Sequence, residues 1–191
     1  MGKEVIKEMN RVGIIIDMSH SAEKSTFDAI KYSAKPIAIT HANPSFWHPA
    51  RRNKSNEILK ALGESGGMIG LSLYPHHLLE GTNCSLDSFC TMLARTADII
   101  GTKNIGIGSD LCLGQPDSIV DWMRNGTWTK TKDFGEGSVA SPSFPNQPLW
   151  FKDARGFNNI NEGLKKIGFN NEEVSGILGN NWFNFYKDYI H

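Results

Sequence analysis

Residues 13–20 read GIIIDMSH, three isoleucines opened by a glycine and closed four residues later by a histidine. Consecutive β-branched residues pack well on a pleated surface, so Ile14-Ile15-Ile16 has the pattern of a short buried strand. A second run, Ile37-Ala38-Ile39, follows Pro36 and also ends on a histidine, His41. Strands that are apolar on both faces belong to parallel sheets covered by helices. All strands of such a sheet point one way, and the residues just past their C-terminal ends gather on one rim, where these folds build their sites. His20 and His41 are 21 residues apart, one strand–helix–strand step, which places both imidazoles at neighbouring strand ends.

Outward from that stretch the alternation continues. Val5, Ile6 and Met9 predict a helix over 2–11, and Ser21 to Lys31 predicts a second with Phe27 and Ile30 inward. Ser55 to Glu64 reads as a third, with Ile58, Leu59 and Leu62 on one face and Gly66-Gly67 as its stop. MIGLSLY (68–74) is the third strand. Ser85 is the N-cap of a helix that buries Leu86, Phe89, Met92, Leu93 and Ala97 until Gly101, and NIGIGSD (104–110) is the fourth strand. Four strands alternating with helices make the class α/β. Residues 113–152, rich in Gly, Pro, Ser and Trp, form a connection far longer than usual and are read as an insertion loop serving as a lid over the rim. Short helices over 160–167, 171–178 and 181–189 close the chain, which is read as a single domain over 1–191.

Composition narrows the function. The chain has 191 residues, and 20 Lys plus Arg balance 20 Asp plus Glu, so no net field attracts nucleic acid or an anionic membrane. Its apolar runs fall short of the roughly 20 residues of a membrane span, and the charged start MGKEVIKEMNRVG is unlike a signal peptide. Cys84, Cys90 and Cys112 lack zinc-finger spacing and are read as reduced, partly buried thiols.

His20, His41 and Asp110 each stand at a predicted strand end. Two neutral imidazoles and a carboxylate on one rim suit zinc or a similar metal, with Asp110 either a ligand or a base towards bound water. His76 and His77 are read as a solvated loop, and His48 and His191 as surface.

The segments GIIIDMSHSA (13–22), ITHANPSFWHPARRN (39–53), GGMIGLSLYPHHL (66–78), NIGIGSD (104–110) and GFNNINEGLKKIGFNNEEVSGILGNNWFNFYK (156–187) resemble, in this order, the C-terminal half of the membrane (renal) dipeptidase family, zinc peptidases of the metal-dependent amidohydrolase superfamily. The resemblance implies a (β/α)8 barrel, of which this chain holds about the last four β/α units, with two zinc ions at the C-terminal rim. It makes His20 and His41 imidazole ligands of one zinc, Arg52 the residue that binds the carboxylate of a dipeptide substrate, and Asp110 the residue that handles the protons of the attacking water. It also implies that the His-x-Asp pair, bridging glutamate and further histidine of the family's N-terminal half have no counterpart here. The chain is therefore expected to be a fragment, inactive alone, from a protein that forms homodimers in many family members. Asp110-Leu111-Cys112-Leu113-Gly114 departs from the family's Asp-Phe-Asp-Gly. Two alternatives stand beside the dipeptidase: a non-catalytic α/β scaffold or assembly partner of a separate N-terminal half, and an amidohydrolase acting on another carboxylate-bearing amide or lactam.

Overall fold

Strands β1 (Ala38–Ile39), β2 (Met68–Leu71) and β3 (Ile105–Ile107) form a parallel sheet in the order β1-β2-β3. The structure, a computed structural model, describes residues 1–124 and 143–190. Ala38 and Ile39 pair with Met68 and Ile69, and Ile69, Gly70 and Leu71 pair with Ile105, Gly106 and Ile107. The first predicted strand shrinks to a single parallel bridge between Asp17 and Ala38. Ala38 N–H donates to Ile16 O and Met18 N–H to Ala38 O, both at 2.9 Å, so Ile14–Asp17 still runs alongside β1. Among the described residues it is the outermost segment, with backbone pairing on one side only, which explains why so little regular pairing survives.

Helices α1 (Gly2–Arg11), α2 (Glu23–Tyr32), α3 (Asn56–Glu64) and α4 (Leu86–Ile100) link these segments. The Ser55 and Ser85 side chains accept from the N–H groups of Ile58 and Ser88, the capping bonds expected of serines before an apolar periodic run. Each such bond contributes about 1 kcal/mol to its helix. α3 buries Ile58, Leu59 and Leu62, and α4 buries Phe89, Cys90, Met92, Leu93, Thr96 and Ile100. On α2 the buried residues are Thr26 and Ala29, while Phe27 is 40% exposed, contrary to the inward placement expected of it. The buried stripe runs through Thr26 and Ala29, three residues apart on one face, with Ile30 half-buried beside it.

Beyond β3 come α5 (Asp117–Arg124), α6 (Phe157–Lys166), α7 (Asn171–Ser175), a wide π-type turn at Gly176–Asn180, and α8 (Asn181–Tyr189). The wide turn, in place of a helix running to 178, brings Asn181 Nδ2 to Thr102 O (2.8 Å) and Ile105 O (2.7 Å), and Trp182 Nε1 to Ile107 O (3.2 Å). These side chains cap carbonyls along the free edge of β3. A Cβ at Gly106 would collide with the Trp182 indole, so only glycine lets α8 seat there. Of the 113–152 segment, Trp150 packs against Phe89 and Phe151 and donates to Cys84 O at 2.8 Å, Trp122 is exposed, and Trp128 lies outside the described residues. The lid expected of this segment rests mainly on residues 125–142, also outside the described residues. Cys84 and Cys90 are buried, Cys112 is half-buried, and all three are free thiols, as expected.

Candidate active site

The two strand-end histidines meet. His20 Nε2 and His41 Nε2 stand 2.8 Å apart, with their rings edge to face. His20 sits in the turn that follows Asp17, closed by Ser21 N–H donating to Met18 O at 3.2 Å, and His41 lies two residues past the end of β1.

Asp17 organises both loops. Its Oδ1 accepts from Ser19 N–H (3.0 Å), Ser19 Oγ (2.5 Å) and Thr40 N–H (3.0 Å), and its Oδ2 accepts from Thr40 Oγ1 (2.7 Å). Ser19 Oγ accepts in turn from His41 N–H at 3.1 Å. Burial raises the Asp17 pKa, but these hydrogen bonds outweigh it and hold the carboxyl below its ordinary value.

Proton positions follow from this order of partners. Thr40 Oγ1 gives its only hydrogen to the carboxylate, so at 2.9 Å it must accept from His41 Nδ1–H. That leaves a lone pair on His41 Nε2, which accepts from His20 Nε2–H. His20 Nδ1 is then the acceptor for Arg52 Nη1 at 2.6 Å, while Arg52 Nη2, 2.6 Å from Nε2, faces a second donor. Burial, more than any charge, lowers the pKa of both imidazoles. Arg52 and His41 push His20 further down, and Asp110 and Asp17 oppose the shift at both rings. Both rings are therefore neutral at pH 7, the state a metal ligand requires.

Asp110 follows β3 with φ 51, the one non-glycine residue with positive φ among the described residues. Asp tolerates that region better than most residues, because its short polar side chain can hydrogen-bond locally. Its carboxylate acts on both imidazoles through space and makes no direct hydrogen bond to either among the described residues. Thus His20 touches both His41 and Arg52, and Asp110 lies near enough to act on both imidazoles by charge.

Two neutral imidazoles are a suitable start for a zinc site. Nitrogens on one tetrahedral zinc stand about 3.3 Å apart, so to share a metal this pair needs to open by roughly 0.5 Å and His20 to carry its proton on Nδ1 in place of Nε2. A catalytic zinc takes three protein ligands, and no group of three metal-binding His, Cys, Asp or Glu side chains occurs among the described residues. The donor set fits one side of a metal shell.

Several supporting residues went unread in the sequence. His77, expected on a solvated loop, is 1% exposed, with Nδ1 at 2.8 Å from Ser72 Oγ. Asn43 Nδ2 donates to Ser72 O and His77 O, and Asn53 Nδ2 donates to His48 O and His77 O, so the asparagines lace the loops after β1 and β2 together. His48, expected at the surface, is half-buried within this lacing. The local signal was there: Asn, Ser and His clustered past strand ends satisfy loop backbone that water cannot reach.

Among solved structures, an amidohydrolase from Pseudomonas aeruginosa superposes with a TM-score of 0.84 at 29% identity, over 98% of this chain and 56% of that one. A metallopeptidase from Rhodobacter sphaeroides, solved with a phosphinate mimic of the dipeptide L-Ala-D-Ala, superposes at 0.76 and 21% identity over 98% of this chain and 46% of that one, a likeness of fold. Dipeptidase aclJ of Aspergillus oryzae is 33% identical over 116 residues, which are 57% of this chain and 26% of that protein. The match thus spans about a quarter of that curated relative. No helix among the described residues is long and apolar enough to cross a membrane. Residues 1–124, from α1 through α5 and including His20, His41, Arg52 and Asp110, match the membrane dipeptidase family, peptidase family M19, and the chain belongs to that family.

Proposed function

We propose that this chain contributes one side of a metal-dependent dipeptidase site, with His20 and His41 as ligands of a zinc ion, Arg52 as the anchor for the substrate's terminal carboxylate and Asp110 as the proton carrier. One observation carries the proposal: imidazoles from two successive loops converge with their Nε2 atoms 2.8 Å apart, kept neutral by burial, with His41 oriented by Thr40 and Asp17. A zinc ion there would polarise the scissile carbonyl and lower the pKa of the attacking water. Asp110 accepts the proton of that water and returns it to the leaving amine. The planar guanidinium of Arg52 matches a carboxylate with two parallel N–H donors, which fixes the dipeptide's C-terminal end.

We further propose that the sheet is the C-terminal half of a (β/α)8 barrel, with the remaining ligands on strands outside this chain. The superposition on just over half of the Pseudomonas protein supports it. The decisive experiment measures zinc uptake and dipeptide hydrolysis by this chain alone and mixed with a polypeptide supplying the other strands. Hydrolysis that appears on mixing and disappears in His20→Ala or His41→Ala supports the proposal. Hydrolysis unaffected by either substitution refutes it.

A non-catalytic scaffold is the second reading, favoured by the lack of a three-ligand group among the described residues. It predicts no zinc uptake under either condition. An amidohydrolase acting on another carboxylate-bearing amide or lactam shares the ligands and Arg52, and comparing hydrolysis of a dipeptide with that of a lactam separates the two.

A further inference from the structure

Lys54 is 3% exposed, and none of the ion pairs among the described residues includes it. A buried ammonium is costly unless its hydrogens are used, so a position that needed only bulk would be better filled by an apolar residue. Its hydrogens are used on one short segment. Nζ donates to Ser19 O at 3.2 Å and to Ser21 O at 2.8 Å, the carbonyls on either side of His20.

The backbone of the same residue is fastened to the neighbouring loop. Lys54 N–H donates to Asn43 O and Lys54 O accepts from Ser45 N–H, both at 2.8 Å, forming the bridge between Pro44 and Lys54. Asn43 lies two residues past His41, and Arg52 two residues before Lys54. One residue therefore joins the turn that holds His20 to the loop that holds His41. Desolvation, aided by repulsion from Arg52, lowers the pKa of the ammonium against the attraction of Glu23 and Asp17.

We propose that Lys54 is a positioning residue, whose side chain clamps the carbonyls flanking His20 and so fixes where that imidazole meets His41. The proposal rests on the reading of His20 and His41 as one site, but its test needs neither metal nor substrate. In the unsubstituted chain, ring protons of His20 and His41 give a nuclear Overhauser cross-peak, because the ring centroids are 4.9 Å apart. Lys54→Met keeps length and loses the donors, and is expected to remain folded and lose that cross-peak. Lys54→Arg keeps donors for both carbonyls and is expected to restore it. A Met variant that retains the cross-peak overturns the proposal. So does an Arg variant that fails to restore it, since the loss would then be one of packing. Should the Met variant not fold, the unsubstituted chain decides. Scalar couplings across hydrogen bonds from the Lys54 ammonium to the Ser19 and Ser21 carbonyl carbons are expected, and their absence refutes the clamp. A chain that shows the Lys54-dependent contact yet takes up no zinc with the other strands present refutes the peptidase reading alone.

Discussion

Asp17→Asn reverses the hydrogen-bond direction that sets the His41 tautomer. In the native chain the Asp17 Oδ1 atom accepts from two backbone N–H groups, those of Ser19 and Thr40, so an asparagine must keep its carbonyl oxygen there. Its NH2 then occupies the place of Oδ2, 2.7 Å from Thr40 Oγ1, and donates where the carboxylate accepted. Thr40 Oγ1 is thereby freed to give its hydrogen to His41 Nδ1, 2.9 Å away, and the ring proton moves to Nε2. The lone pair that faces His20, and that a metal would use, is lost. Restoring it sacrifices one partly buried hydrogen bond, about 1–1.5 kcal/mol, or roughly tenfold in metal affinity. Orienting partners of metal ligands typically show losses of about 10–100-fold when mutated, so the expected effect lies at the low end of that range. Long-range 1H–15N correlation of the imidazole rings reads the tautomer directly, and zinc titration in the presence of the other strands reads the affinity. The expected result is Nδ1–H in the native chain and Nε2–H in the variant, with folding retained. A variant that keeps Nδ1–H, with unchanged zinc affinity, refutes the assigned polarity of Asp17, Thr40 and His41.

Other outcomes follow from the same geometry. Gly108→Ala drives a Cβ into Thr40 O; the clash should destabilise the chain by about 2–3 kcal/mol and lower Tm by roughly 5–10 °C in calorimetry, and an unchanged Tm would contradict it. Desolvation pushes the Cys84 thiol up to about 12 and the Cys90 thiol to about 11, whereas Cys112 is half-buried with a smaller upward shift; at pH 8 mass spectrometry should find iodoacetamide on Cys112 well before the other two. His20 and His41 have folded pKa values below 6.5, so between those values and 6.5 the unfolded chain binds more protons; stability should rise with pH through that window and level off above it, and His41→Gln should flatten the rise in urea melts. Trp150→Phe loses the bond to Cys84 O and part of the contact with Phe89, which should cost about 1–2 kcal/mol by the same measurement.

The sequence displayed those parts of the molecule whose signals are local. Ser55 and Ser85 cap the helices they were expected to cap, because an N-cap serine acts on N–H groups three residues away. His20 and His41 were legible because strand direction alone brings successive strand ends to one rim. Phe27 was misplaced because helical periodicity offers more than one face, and the face buried in the fold is that of Thr26 and Ala29. Ile14-Ile15-Ile16 was overread as a strand because β propensity reports a fit to a pleated surface, and this segment has a partner on one side only. The polar cluster past the strand ends hinted at Asn43, Asn53 and His77, but neither it nor spacing could assign their partners or those of Lys54. Each is polar and buried, and its partners are backbone carbonyls or hydroxyls brought close only when three loops are folded together.

The two edges of the sheet differ, and that difference bears on where further ligands would come from. On the β3 side, Asn181 and Trp182 occupy the carbonyls of Ile105 and Ile107, so this edge is covered by the chain itself. On the other side, Ile16 and Met18 bond inward to Ala38, and the outward backbone groups of Ile15 and Asp17 have no backbone partner among the described residues. An edge of apolar residues left in that state is a template for another strand. His20 lies three residues past Asp17 on that same outer segment, and its imidazole is the exposed member of the pair. If His20 and His41 hold a metal as proposed, a strand laid parallel to Ile14–Asp17, on the edge left without a backbone partner among the described residues, could bring a further donor to them. On that proposal, placing a single histidine or aspartate at the C-terminal end of such an added strand should raise zinc affinity. If affinity rises equally when the donor is added on the β3 side instead, the site is not organised by the open edge.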